Sequence, residues 1–278
     1  MRKIFMFLMV AMCATMFSSC SDDDDENSIA PIDVNKGIIT FTTNLKIFEK
    51  KDQGDCHIIT PQNGKISVDW GDGQITEYIG IKKIGNMDAK DYERYAICLD
   101  HIYDQEKTHT VKITGAILGI WGGDKDYLPF TSLDVSKCPA LKELDCNYNN
   151  FTSLDVSNCP TLRYLACYNT KLTSLDVSKC PALEWLVCTY ANLTSLDISN
   201  CPILRYLDCH NNNLTSLDVS KNTALINLIC DENQFNDSVW NKIYTDLPQQ
   251  SNGQIRVDKD SSSDPSIAEK KGWSVQKV

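Results

Sequence analysis

No glycine lies between Gly123 and Gly253, no two of the 13 cysteines form a C-x-x-C pair, and the 278 residues contain only 4 histidines. Without C-x-x-C spacing, zinc ligation loses its main support. His57, His101, His109 and His210 show neither metal-ligand spacing nor a triad context, and no phosphate loop or nucleophile elbow is present. The chain is therefore read as a non-enzyme that needs no cofactor or metal. A basic stripe is missing as well: 37 acidic residues face 27 basic ones, for a net charge of -10. Nothing here tracks a phosphate backbone, so nucleic acid is excluded as a partner. The apolar run from Ile4 to Phe17 is too short for a comfortable bilayer span. With 42% hydrophobic and 23% charged residues, the remainder has ordinary globular composition and room for two domains.

What the chain does have is a repeat. Phe130, Phe151, Leu172, Leu193, Leu214 and Phe235 follow one another at 21-residue intervals without an insertion. A fixed period of this size predicts a solenoid, whose stacked units make an extended surface suited to recognising something large. One copy reads FTSLDVSNCPTLRYLACYNTK from Phe151 to Lys171. Leu162, Leu165 and Cys167 take the spacing L-x-x-L-x-L, and a second short strand is expected at SLDVS, followed by a corner at the Ser-x-Cys-Pro stretch. Proline fixes φ there and has no amide hydrogen to leave unpaired. Only 21 residues per turn predicts extended or 3₁₀ structure, not full helices, on the far side. The pattern resembles the leucine-rich repeat, with Cys in place of its third apolar residue. The Asn of that family stands at Asn149, Asn212 and Asn233, but Thr170 and Ala191 replace it in two copies, so its ladder is expected to be incomplete.

Cysteines fall into two columns of the repeat, Cys138, Cys159, Cys180, Cys201 and Cys146, Cys167, Cys188, Cys209, Cys230. Both columns point inward, where free Cys acts as a small apolar residue. Stacked strands would place equivalent Cα atoms at a permissible distance, but parallel Cβ vectors orient the sulfurs poorly for disulfides. Cys56 and Cys98 are the better disulfide candidates, the alternative being two independent buried thiols.

Ahead of the repeat, residues 37–120 alternate apolar and polar in short runs bounded by Gly, Asp and Asn, which predicts antiparallel β structure. VDWGDG (Val68 to Gly73), HIYD (His101 to Asp104) and HTVKITG (His109 to Gly115) resemble, in that order, the motifs of PKD-like, immunoglobulin-type β-sandwiches. The resemblance implies that the Trp and Tyr are core residues and that the Asp72-Gly73 turn is structural; Lys82 to Tyr95 reads as a loop insertion. Beyond Phe235, a helix with Val239, Ile243 and Leu247 on one face, a strand, a short helix ended by Gly272 and a last strand resemble the C-terminal cap of Bacteroidetes repeat proteins. A cap keeps the apolar face of the last coil from water.

The N-terminus, Arg2-Lys3 followed by the apolar run and FSSC, resembles a lipoprotein signal, which implies removal of residues 1–19 and lipidation of Cys20. Loss of Arg2 and Lys3 takes the net charge from -10 to -12. The acidic run after Cys20 reads as a solvated tether and resembles the surface-export signal of Bacteroidetes lipoproteins. The expected architecture is thus mainly β with short helices: a signal peptide (1–19), an acidic tether and linker (20–36), a PKD-like β-sandwich (37–120), a leucine-rich-repeat solenoid (121–235) and a C-terminal α/β cap (236–278).

Two outward columns remain that the core does not require. Glu143, Tyr164, Trp185, Tyr206 and Asn227 share one position on the first strand of each coil, with Tyr148, Tyr168, Tyr190 and His210 just beyond it. Exposed rings there would stack on sugars or anchor a protein, or simply cover their cross-strand neighbours. Tyr148, Tyr164, Tyr168, Trp185, Tyr190, Tyr206 and His210 are therefore the candidate ligand-binding residues. Asp134, Asp155, Asp176, Asp197 and Asp218 form the other column, where hydrogen-bonded turn carboxylates are expected in preference to a bound cation. The functional expectation is an outer-membrane, surface-exposed lipoprotein held only by its lipid, adhesin-like, that binds a host or bacterial protein. Polysaccharide capture and a purely structural envelope role are the alternatives.

Overall fold

A computed structural model describes residues 34–43, 47–48, 56–80, 82–83, 95–104, 107–122 and 130–278. The signal peptide, Cys20, nearly all of the tether and most of the expected 82–95 insertion lie outside the described residues. Before the coils come β1 (Gly37–Thr43), β2 (Ile47–Phe48), β3 (His57–Thr60), β4 (Lys65–Asp69), β5 (Ile75–Ile79), β6 (Lys82–Lys83), β7 (Tyr95–Cys98), β8 (His101–Ile102), β9 (His109–Gly115) and β10 (Gly119–Trp121), and β11 (Phe130–Lys137) opens the first coil. Strict alternation along β1 and β9 sends Ile39, Phe41, Val111 and Ile113 inward at 0% exposure. One antiparallel sheet has the order β11-β1-β9-β4-β5. The β4–β5 hairpin turns at Gly71 to Gly73, where Gly71 has φ 75 and a Cβ would sit 2.4 Å from the Thr110 carbonyl oxygen. Trp70 and Tyr103 are both buried, and the Tyr103 hydroxyl donates to the Trp70 carbonyl at 3.0 Å.

Each coil then adds one three-residue strand: β12 (Glu143–Asp145), β13 (Tyr164–Ala166), β14 (Trp185–Val187), β15 (Tyr206–Asp208) and β16 (Asn227–Ile229). These pair in parallel with equivalent residues in register. The sheet does not stop at the first coil. Parallel pairing of β12 with β10, and antiparallel pairing of β10 with β3, carry it into the N-terminal strands. On the other layer β11, the SLDVS segment of the first copy, pairs with β1. Both layers therefore run across positions 120/121, and one apolar core extends from Ile39 to Trp273.

A second strand was expected at every SLDVS segment, but only the first copy forms one. That copy alone has an antiparallel partner; later copies make the chain direction change without a ladder. At each corner two i→i−3 bonds follow in succession, as from Cys159 N–H to the Val156 carbonyl and Leu162 N–H to the Cys159 carbonyl. Leu162, Leu165, Leu183, Leu186, Leu204 and Leu207 are fully buried, each contributing about 1.5–3 kcal/mol of apolar transfer.

Among the described residues all eleven cysteines are free. Thiols of one column lean on the carbonyl of the preceding coil, Cys180 to Val156 at 3.6 Å and Cys201 to Val177 at 3.7 Å. Asn222 continues that column and donates to Ile198 and Cys201 carbonyls at 2.9 and 2.8 Å. Cys56 and Cys98 are not joined. With His57 opposite Cys98, Cys56 faces the core while the Cys98 sulfur lies on the other face, 3.0 Å from His57 Nε2.

After the coils, α1 (Asp237–Asp246) is capped by the Asn236 side chain, which accepts from Val239 N–H at 3.0 Å. It buries Trp240, Ile243 and Tyr244, with Leu247 buried just beyond and Val239 only half-buried. Strands β17 (Gly253–Val257) and β18 (Trp273–Lys277) extend the long sheet in parallel, joined by α2 (Ser266–Glu269). Gly272 has φ 82 and ends that turn. Among the described residues no helix is long and apolar enough to cross a membrane.

Candidate functional site

The outer face of the long sheet consists of rows set by its register. Glu143, Tyr164, Trp185, Tyr206 and Asn227 form the first row, continued by Gln254. Two residues on, Asp145, Ala166, Val187, Asp208, Ile229 and Arg256 form the second. Ala166, Trp185, Val187 and Tyr206 make an apolar patch separate from the main core, with Tyr164, Tyr168 and Ile229 packed against it.

The rings do not stand free as flat exposed plates. Trp185 and Tyr206 are only 3% and 4% exposed and lie face to face, centroids 3.9 Å apart and planes 3° apart. Strands at sheet spacing bring equivalent residues within stacking distance, so large rings in one row cover one another. Tyr164 and Tyr168 are half-buried, and Tyr168 meets Tyr148 edge-on at 4.7 Å. Tyr190 is 47% exposed and meets His210 edge-on at 5.2 Å.

The residues beyond the strand divide into two groups that the spacing alone does not separate. Tyr168 and His210 continue the outer rows, whereas Tyr148 and Tyr190 occupy a left-handed turn position with φ 57 and 53. Asn169, Asn211 and Glu232 hold the same position in the other coils, each at φ 54. Left-handed backbone is ordinary for Asn and unfavourable for Tyr. The turn at Tyr190 departs further. Its amide donates to the Asn211 carbonyl, and Asn192 is also left-handed, at φ 53.

That irregular turn sits where the asparagine ladder is broken. Asn212 accepts from Leu193 N–H at 2.9 Å and donates to the Cys188 and Cys209 carbonyls at 2.9 and 3.0 Å. Asn149 and Asn233 do the same work in their coils. Thr170 keeps one such bond, to Cys167 at 2.9 Å, and Ala191 can make none.

Charge surrounds the apolar patch. Arg163 pairs with Glu184 at 2.5 Å and Arg256 with Asp231 at 2.5 Å. Glu143 accepts from Trp121 Nε1 at 3.0 Å. Burial, reinforced by the neighbouring Glu143 carboxylate and opposed by the Asn147 amide, raises Asp145 from 3.8 to about 7. Asp208 is 1% exposed; its Oδ1 meets His210 Nδ1 at 2.6 Å, and its Oδ2 is buried without a hydrogen-bond partner. Asp145, Asp208 and Asp231 were not singled out from sequence, although counting two residues on from the aromatic row reaches the first two. Arg256 follows the repeat at a different interval, so the period could not place it.

On the other layer, Asp134, Asp155, Asp176, Asp197 and Asp218 each accept the amide of the Ser two residues on at 2.9 Å. Bonds to those serines lower all of these carboxyls from 3.8, outweighing the desolvation that opposes them and, at Asp134, Asp155 and Asp197, repulsion from a neighbouring Asp of the column. They are turn carboxylates, and among the described residues no cluster of His, Cys, Asp and Glu suits a metal ion.

No curated protein sequence matches the chain. Among solved structures it is similar to the functional domain of InlJ from Listeria monocytogenes, which includes a cysteine ladder. That match has 22% identity over 58% of this chain and 44% of the other, with a TM-score of 0.38. It is also similar to the leucine-rich-repeat protein LIC12759 of Leptospira interrogans, at 20% identity over 56% of this chain and 42% of the other, with a TM-score of 0.46. The chain thus spans less than half the length of either structure. Residues 132–230, about a third of the chain, match the family model described as the LRR repeats of FBD-associated F-box protein At5g56370, and the coils have a leucine-rich-repeat-like solenoid fold.

Proposed function

We propose that this is a lipid-anchored, surface-exposed binding protein of the bacterial outer membrane, adhesin-like and non-enzymatic. Its partner is a protein, held on the outer face of the long sheet. The observation that supports this reading is the patch of Tyr164, Tyr168, Trp185 and Tyr206, with the exposed Tyr190 packed on His210 in the turn beyond the strand and ion pairs at Arg163–Glu184 and Arg256–Asp231. The patch is a cluster of its own, apart from the main core of the coils, and aromatic centres with polar rims are what protein interfaces use. Trp185 and Tyr206, stacked on each other and almost wholly buried, present no open ring face there for a sugar, which favours a protein over a glycan. In this reading the N-terminal strands are a PKD-like sandwich that closes the first coil, α1, β17 and β18 close the last, and Cys20 carries the lipid.

The test is adhesion of cells displaying the full chain to host and bacterial cell surfaces, beside a glycan array probed with the purified protein. A Tyr164→Ala/Tyr190→Ala variant of unchanged thermal stability should lose adhesion and show no glycan signal to lose. Glycan binding that disappears in the variant would transfer the site to polysaccharide capture. Equal adhesion by both proteins would reject the sheet face as the site.

A further inference from the structure

The second row of the outer face, Asp145, Ala166, Val187, Asp208, carries a pattern more specific than a sticky surface. A carboxyl stands at each end and two small apolar residues lie between, with Tyr164 and Trp185 alongside them in the first row. Neither carboxyl has a full set of donors, although Asp208 Oδ1 accepts from both the His210 amide and its Nδ1. Asp145 is half-buried beside a second acid, Glu143, and accepts the Asn147 amide at a long 3.3 Å. Asp208 is almost wholly buried, and one of its oxygens has no donor at all. An unserved carboxylate oxygen is costly in a native structure. Arg163 pairs with Glu184, while Arg256 pairs with Asp231 and acts on Asp208 only through space, without a hydrogen bond to its Oδ2.

We propose that the partner presents an extended segment with two basic side chains four residues apart and apolar residues between, one base pairing with Asp145 and the other with Asp208. This rests on the protein-binding reading of the same face. Three strand spacings separate the two carboxyl-bearing positions, about 14 Å, and four residues of extended chain span about 13 Å. The apolar stretch between the bases lies over Ala166 and Val187. At the Asp208 end the incoming cation displaces the half-buried His210 ring and supplies the donor that Oδ2 lacks. A guanidinium or ammonium arriving on a chain of net charge -10 is also steered there from solution.

The probe is a library of random twelve-residue peptides displayed on phage and selected on the full-length protein. Enriched sequences are then synthesised and titrated by fluorescence anisotropy. The expected result is enrichment of two Lys or Arg residues at a spacing of four around apolar residues. Affinity should fall at least tenfold in Asp145→Asn/Asp208→Asn, a near-isosteric pair whose folding is checked by circular dichroism, and should weaken with added salt. Peptides that lack the basic pair, or bind that variant undiminished, yet are lost on Tyr164→Ala/Tyr190→Ala, would overturn this proposal and leave the binding face standing. A basic spacing of eight to nine would replace the extended segment by a helix and equally overturn it. Selection of nothing, or of peptides indifferent to both variants, would overturn the proposal and the binding face together.

Discussion

Replacing Asn212 by Ala removes one rung of an interrupted ladder, and the structure fixes what is lost. The Leu193 amide, buried at the start of its coil, loses its acceptor at 2.9 Å, and the Cys188 and Cys209 carbonyls lose donors at 2.9 and 3.0 Å. An orphaned buried amide costs about 1–3 kcal/mol, and two carbonyls deprived of a donor add to it, so about 3 kcal/mol is expected. For a chain of this size that lowers the melting temperature by about 6–12 °C. Reversible urea unfolding, followed by Trp fluorescence and far-ultraviolet circular dichroism, measures it directly. Asn212→Thr supplies a comparison, since Thr170 shows that a hydroxyl can keep one of these bonds, to Cys167. Thr should recover roughly half of the loss, on the scale of about 1 kcal/mol per hydrogen bond. A cost below about 1 kcal/mol for Ala would refute the reasoning, because the backbone would then be satisfying these groups without the amide side chain.

Asp145→Asn should stabilise the protein increasingly as pH rises. Its native carboxyl titrates near 7 against an ordinary 3.8, so the native state holds a proton that the unfolded state has released, and wild-type stability falls between those values. The full difference is about 4 kcal/mol; with the side chain partly in contact with water, about 2 kcal/mol is expected at pH 8 and almost none at pH 4. A gain that is flat with pH would contradict the shift. Tyr190→Asn should raise stability by about 0.5 kcal/mol, because left-handed strain of about 1 kcal/mol is relieved while the edge contact with His210 is lost. The same change should weaken partner binding, and a loss of stability would show that the turn carries no strain. Iodoacetamide at pH 8 should label Cys98 first among the described cysteines, since the other ten are buried and burial lifts Cys138, Cys159, Cys167 and Cys180 to about 12. Mass spectrometry finding column cysteines modified before urea is added would count against that packing.

Period and column membership can be read from the residues alone, because each coil repeats one spatial unit and stacking places residue i beside residue i+21. That is why Leu165, Leu186 and Leu207, the two Cys columns and the Asp column all stand where spacing puts them. The pairing of β10 with both β3 and β12 is invisible to the period, since strands from non-repeating sequence enter the sheet through long-range hydrogen bonds. A ring position likewise carries no record of what lies above it. Whether Trp185 offers a face or spends it on Tyr206 depends on strand separation and rotamer. The difference between Tyr168 on the sheet face and Tyr190 in a left-handed turn depends on the backbone after the strand. The carboxyls at Asp145 and Asp208 show the same division. Their residue types are written in the chain, but desolvation and the lack of a donor arise only when neighbouring coils close around them, because solvent exclusion is a property of the packed assembly.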